Sequence, residues 1–262
     1  MSVLLQVSDP HFGTERTPVV EALVALAAQL RPDLVVLSGD ITQRARTEQF
    51  SAARTAMDRL GAPLLALPGN HDIALFDLWS RLVQPYADYS AAFGADLAPV
   101  FASHDLLVIG VNTTRARRHK DGEVSSAQIE AVSQRLRQAT PEQLRVVVVH
   151  QPIDVMRQED LPNRLHNHSA AQQAWAAAGA DVVMGGHIHL PYVMPLPGLV
   201  RPLWAVQAGT SVSSRVRSGV PNSVNVLRWS AGKFCVVEQW DFSAAASAFV
   251  CALCTPIQPQ RP

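Results

Sequence analysis

Val3-Leu4-Leu5-Gln6-Val7-Ser8-Asp9-Pro10-His11 begins as a short apolar run and ends on a carboxylate and an imidazole either side of a proline. A brief run of Val and Leu bounded by turn formers reads as a buried strand. The same succession recurs downstream. The apolar run 33–37 leads to Gly39-Asp40, 63–67 to Gly69-Asn70-His71-Asp72, 145–149 to His150, and 180–184 to Gly185-Gly186-His187-Ile188-His189.

Between these runs lie amphipathic stretches of helical period at 18–30, 47–60, 125–139 and 169–178, punctuated by Pro32, Gly61 and Gly179. Alternation of buried strand and covering helix is the pattern of a layered α/β fold. A further strand is expected at 106–111, and 203–206, 223–229 and 234–240 follow without intervening helices, as hairpins or a second sheet would. Two packed sheets flanked by helices accommodate all of them. Residues 191–202 form a Pro-rich loop too short to divide domains. The organisation expected is one domain over 1–242, with a polar cover segment at 151–170 and a C-terminal tail at 243–262.

Bulk composition narrows the function classes. Over 262 residues, 48% are hydrophobic and 17% charged, which suits a folded core and argues against disorder. The formal net charge is zero, so attraction for phosphate must be local, and a nucleic-acid-tracking surface is not indicated. Met1 to Ser8 lacks a basic leader pattern, and the apolar stretch 242–254 is shorter than the roughly 20 residues of a membrane span. A cytoplasmic location without a membrane span is the expectation. The cysteines, Cys235, Cys251 and Cys254, are three in number, which disfavours a disulfide framework. The Cys251/Cys254 CxxC, with no second pair or His nearby, reads as small apolar tail residues.

In an open α/β sheet the carboxyl ends of the strands share one edge, where ligands collect. Asp9, His11, Asp40, Asn70, His150, His187 and His189 would therefore converge there. They offer carboxylate, imidazole and amide oxygen without thiolate, a set suited to Mn, Fe, Zn or Ni. A catalytic zinc site commonly uses three protein ligands, so seven candidates point to two ions.

The blocks Asp9-Pro10-His11, Gly39-Asp40, Gly69-Asn70-His71-Asp72, His150 and Gly186-His187-Ile188-His189 resemble, in order and spacing, the five motifs of the calcineurin-like metallophosphoesterases. The resemblance implies a four-layer sandwich of two mixed β-sheets flanked by α-helices. It also implies two divalent metal ions, manganese or iron first and zinc or nickel as alternatives. Asp9, His11 and His189 would hold one ion, Asn70, His150 and His187 the other, and Asp40 would bridge them. Hydrolysis of a phosphate ester by a hydroxide held on the pair follows. The His matching His71 in this family aids the leaving oxygen, and Asp72 could orient it. The cyclic-nucleotide and glycerophosphodiester phosphodiesterase branch is the nearest in layout, which favours a small phosphodiester substrate. A phosphomonoesterase acting on a nucleotide or lipid-linked phosphate is the alternative, with a nuclease or a non-catalytic scaffold further off.

Substrate contacts are expected from Arg44, Arg215 and Arg217, since arginine matches phosphate bidentately. A basic run of Arg115, Arg117, Arg118, His119 and Lys120 is either a second phosphate grip or a solvated surface loop partly balanced by Asp121 and Glu123. Neither a protein partner nor an oligomeric state is indicated.

Overall fold

Side chains alternate across a strand, so the first strand, apolar at nearly every position, must be covered on both faces. The computed structural model, which describes residues 1–74, 83–118, 120–232 and 234–260, supplies both covers. Strand β1 (Ser2–Val7) runs parallel to β2 (Leu34–Ser38), and β2 parallel to β3 (Leu64–Leu67). On its other side β1 pairs antiparallel with β10 (Ser223–Ser230), which continues through β11 (Phe234–Ser243) to the edge strand β12 (Ala248–Ile257).

The second sheet has the order β4-β5-β6-β7-β9-β8. Its members are β4 (Val100–Ala102), β5 (Leu106–Gly110), β6 (Leu144–Val148), β7 (Val182–Gly185), β8 (Tyr192–Pro195) and β9 (Trp204–Gln207). Strands β5, β6, β7 and β9 are parallel, and β4 and β8 close the two edges antiparallel.

Helices α1 (Thr17–Leu30), α2 (Thr47–Asp58) and α3 (Ala87–Phe93) cover the outer face of the first sheet, where Leu23, Leu26, Phe50 and Met57 pack on Val3, Leu5, Val7, Val35 and Leu37. Helices α4 (Ser126–Arg137) and α5 (His168–Ala178) cover the second, where Ile129, Val132, Leu136 and Trp175 meet Val147, Val149 and Val183. Between the sheets Leu4, Val36, Leu67, Val108, Val146, Val148, Met184 and Val206 form the central layer. The architecture is the expected four-layer sandwich of two mixed sheets between helices.

Two expectations differ in detail. The late strands divide: β9 joins the second sheet beside β7, whereas β10 to β12 extend the first. Within the expected tail, Ala248–Ile257 form strand β12 and so continue the first sheet rather than trail from it. The alternation of β12 is masked in the sequence by a bulge and by the exposure of an edge strand.

Gln6 is the polar exception in β1. Its Nε2 donates across the inter-sheet layer to the carbonyl of Gly185 at 3.0 Å and to Ser38 Oγ at 3.2 Å. Asn225 Nδ2 donates to Gln6 Oε1 at 3.0 Å and to the carbonyl of Gln207 at 3.1 Å. Buried polar groups must be satisfied, and these bonds fasten the two sheets together where β1, β2, β7 and β9 end.

Candidate metal centre

The carboxyl ends of the parallel strands in both sheets meet at one rim of the sandwich, and the site is assembled across their junction. From the first sheet, the turn after β1 presents Asp9 and His11, the turn after β2 presents Asp40, and a 3-10 turn after β3 (Asn70–Asp72) presents Asn70 and His71. From the second sheet, His150 follows β6, and His187 and His189 follow β7.

The backbone is held in the left-handed region at Asp9, His11, Asp40, His187 and His189, with φ of 49, 42, 48, 74 and 55°. Non-glycine residues seldom adopt it, and such strain collects where surrounding structure forces side chains toward a site. The bonds that force it are visible. Asp9 N donates to the Gly39 carbonyl and His11 N to the Asp40 carbonyl, both at 3.1 Å, while His187 N donates to both oxygens of Asp9 at 3.0 Å. Close approach also fixes two glycines. A Cβ on Gly69 would lie 2.1 Å from Asp40 N, and one on Gly186 would lie 2.1 Å from Ser8 Oγ.

Two clusters of ligating atoms result. In the first, His11 Nε2 and His189 Nε2 face each other at 3.1 Å, with Asp9 Oδ1 3.3 Å from His189 Nε2. In the second, His150 Nε2 lies 3.2 Å from Asp40 Oδ1 and 3.3 Å from Asn70 Oδ1. His187 closes this cluster with Asp40 and His150. Asp40 reaches both, since its Oδ2 is 3.8 Å from His11 Nε2. A further grouping of His11, Asp40 and His71 overlaps them.

The donor set fits cations. His150 Nδ1 donates to the carbonyl of Ser38 at 2.9 Å, which leaves the Nε2 lone pair of the neutral ring pointing at two oxygens. His187 Nδ1 is buried without a hydrogen-bond partner. Acceptors converging on acceptors are repulsive until a positive charge lies among them.

In the bare protein, protons and ion pairs stand in part for that charge. Burial opposes ionisation of Asp40, but the charge and hydrogen bond of His150 outweigh it and hold the carboxyl well below the usual range. Burial likewise disfavours the charged form of His150, yet Asp40 pushes that ring up to about 9. Burial dominates at His11 and His187, which fall to about 3 and about 4 and so present unprotonated nitrogens.

The calcineurin-like phosphoesterase family matches this chain over residues 2–191, a span that contains every one of these residues. The chain belongs to the calcineurin-like phosphoesterases. It is 25% identical over 206 residues to a Synechococcus protein named "Probable cyclic nucleotide phosphodiesterase", covering 72% of this chain and 74% of that one. It is 37% identical over 83 residues to a glycerophosphodiester phosphodiesterase of Enterobacter lignolyticus, covering 27% and 29% of the two chains. The purple acid phosphatase PPD1 of yellow lupin shares the fold, with a TM-score of 0.71 at 12% identity over 95% of this chain and 52% of that one. This phosphoesterase is therefore a metal-dependent enzyme on a family scaffold, and its donor clusters suit a divalent metal cofactor. Among its described residues no helix is long and apolar enough to cross a membrane.

The residues expected around the metal centre of this phosphoesterase fare differently. His71 lies beside the first cluster, its ring 4.9 Å from that of His11 and edge-on to it. Its orientation comes from Gln43, whose carbonyl accepts from His71 Nδ1 at 3.1 Å. Asp72, expected to orient His71, is instead buried and takes bonds from Thr42 N and Oγ1 at 2.8 and 2.9 Å, from Gly69 N at 2.8 Å and from Ile41 N at 3.0 Å. It is a latch between the β2 and β3 turns, its carboxyl pushed up to about 6 by burial and then by the charge of Asp40. Asp72→Ala should leave three buried amides without an acceptor and cost about 3 kcal/mol or more. Chemical denaturation would read this as a lowered midpoint, and an unchanged midpoint would contradict the latch.

Arg215 reaches the centre: its Nη1 donates to Gln43 Oε1 at 2.8 Å and lies 3.3 Å from His71 Nε2 and 3.5 Å from His11 Nδ1. Arg217 is committed elsewhere. Its Nη1 donates to both oxygens of Asp160 at 3.0 Å and to the carbonyl of Ile188 at 3.3 Å, and its Nη2 pairs with Glu159. It ties the 3-10 turn Gln158–Asn163, inside the 151–170 segment, to the loop that carries His187 and His189. The expected phosphate contact from Arg217 gives way to this ion pair. Arg44 is exposed on the loop between Asp40 and α2, its backbone amide bonded to Gln49 Oε1 at 2.9 Å.

Three arginines of the basic run find partners close by. Arg115 Nη2 donates to Gln128 Oε1 at 2.7 Å, and Arg117 and Arg118 pair with Glu123 at 3.6 and 3.0 Å. His119 lies outside the described residues. Gln43, which serves both His71 and Arg215, carried no sequence signal beyond its position three residues after Asp40.

Proposed function

We propose that this chain hydrolyses a small phosphodiester with two divalent metal ions, manganese or iron first. Asp9, His11 and His189 would hold one ion, Asn70, His150 and His187 the other, and Asp40 both. The observation that carries this reading is the pair of acceptor clusters sharing Asp40, with His150 Nε2 aimed at Asp40 Oδ1 and Asn70 Oδ1. When bound, two such cations supply Lewis acidity to phosphoryl oxygens and lower the pKa of water at the site.

The protein's own groups do the rest. Arg215 stands over the first cluster with its guanidinium directed inward, placed to donate to a non-bridging phosphate oxygen in exchange for its bond to His71 Nε2. Because the Nδ1 proton of His71 is spent on the Gln43 carbonyl, Nε2 is the atom that can hold a proton toward the leaving oxygen. Gln43 thus sets the tautomer of one group and the aim of the other. The 151–170 segment, pinned by Arg217, is the cover over the second-sheet side of the centre, and the domain extends past residue 242 to take in β12. A small soluble substrate and a cytoplasmic location belong to the same reading.

A diester is favoured over a monoester because the named activities of the relatives are phosphodiesterases, and because the single arginine that reaches the centre among the described residues, Arg215, supplies fewer charges than a dianion would use. The test is hydrolysis of matched aryl phosphodiester and monoester substrates after chelation, with add-back of Mn, Fe, Ni, Zn or Mg. Restored turnover with a diester preference of at least about tenfold, roughly 1.4 kcal/mol in transition-state energy, is the expected result. A reversed ratio would make the enzyme a monoesterase, and no turnover with any metal would overturn the hydrolytic reading.

A further inference from the structure

Cys251 and Cys254 are exposed on β12, the outer edge strand of the first sheet. Residues three apart in a regular strand point to opposite faces. Here the register shifts: Gln239 pairs with Leu253 and Trp240 with Cys251, so Ala252 is an unopposed bulge residue. The extra residue returns both cysteines to one face, and their sulfurs lie 3.4 Å apart. The remaining cysteine, Cys235, is buried in the layer between the sheets, opposite Ile257.

We propose that Cys251 and Cys254 form a reversible redox pair, closing to an intrastrand disulfide when a small disulfide such as oxidised glutathione is present. The remaining gap to a bond of about 2.0 Å is small enough for side-chain rotation to close. One cysteine thiolate attacks a sulfur of oxidised glutathione, forming a mixed disulfide and expelling one glutathione thiolate. The second cysteine thiolate attacks the protein sulfur of that mixed disulfide, forms the Cys251–Cys254 bond and expels the second glutathione. The protons lost by the two protein thiols are taken up by the two glutathione thiolates, and the two electrons from the cysteines reduce the glutathione disulfide. Burial and the neighbouring Cys254 push the Cys251 thiol up to about 11, so oxidation quickens as pH rises. The pair lies away from the metal centre, and its closure covalently fixes the bulge at the sheet edge.

The experiment treats the full-length folded protein with oxidised glutathione, blocks free thiols under denaturing conditions, and counts them by intact mass. Wild type should fall from three blocked thiols to one, with no glutathione added and no crosslinked dimer. Fragmentation should place the link between 251 and 254, and dithiothreitol should reverse it. Cys251→Ser and Cys254→Ser should each instead retain a glutathione adduct. Persistent adducts on wild type, an intermolecular crosslink, or three thiols still free after prolonged treatment would each overturn the proposal. Cys235→Ser, which should behave as wild type in losing two thiols, guards against a link through Cys235.

Discussion

Asp40→Ala is expected to lose hydrolysis to background and to release bound metal while the chain stays folded. Among the described residues Asp40 is the carboxylate whose oxygens face ring nitrogens of both clusters, with Oδ1 at 3.2 Å from His150 Nε2 and Oδ2 at 3.8 Å from His11 Nε2. Its Oδ1 also accepts from His71 N at 2.9 Å, so its removal loosens the turn that presents Asn70 and His71. Residues that merely orient a metal ligand cost about 10–100-fold in affinity or activity when replaced, and loss of the ligand proposed to be shared should exceed that. Elemental analysis after gel filtration, with circular dichroism as the check on folding, gives the readout. Asp40→Asn separates charge from shape: it keeps the size of the side chain but removes the negative charge. An Asp40→Ala protein that kept full metal content and turnover would show that the cluster is not the metal centre.

His71→Ala should spare metal content and slow the enzyme in a way that depends on the leaving group. The Nδ1 bond to the Gln43 carbonyl and the position of Nε2 beside Arg215 suit a proton donor to the ester oxygen rather than a ligand. General acid catalysis typically contributes about 10²–10⁴-fold, and that loss should fall on alkyl diesters whose leaving alkoxide needs a proton. A nitrophenolate leaves without one, so aryl substrates should lose far less. An equal loss across both series would remove the acid role and leave His71 as a residue that only positions its loop. Gln43→Ala should instead slow both series alike and more weakly, because the carbonyl that holds His71 remains while the side-chain bond that aims Arg215 is lost.

The order of chemistry-bearing residues was legible because each one follows an apolar run, and strand ends are local features. Asp9, His11, Asp40, Asn70, His150, His187 and His189 are all brought to one rim, as their positions after strands implied. The partners of the arginines were not legible. Arg215 and Arg217 stand two residues apart in a loop, yet one points at the metal centre and the other into an ion pair with Glu159 and Asp160, more than fifty positions away in the chain. Asp72 reads as a neighbour of His71 and proves to be a latch across to Ile41 and Thr42, a contact made only once β2 and β3 lie side by side. The cysteine spacing was equally silent, since a bulge in β12 decides which face each sulfur occupies.

By itself the sequence determined the strand-and-helix alternation, the family and the kinds of atom available to a metal, because hydrophobic period and residue chemistry are written locally. Only the tertiary structure decided how the late strands divide between two sheets, which polar groups fasten those sheets, and which charged side chains remain open to substrate. Those outcomes depend on pairing between distant segments, where a buried charge or amide must find a partner and takes the one that folding brings within reach.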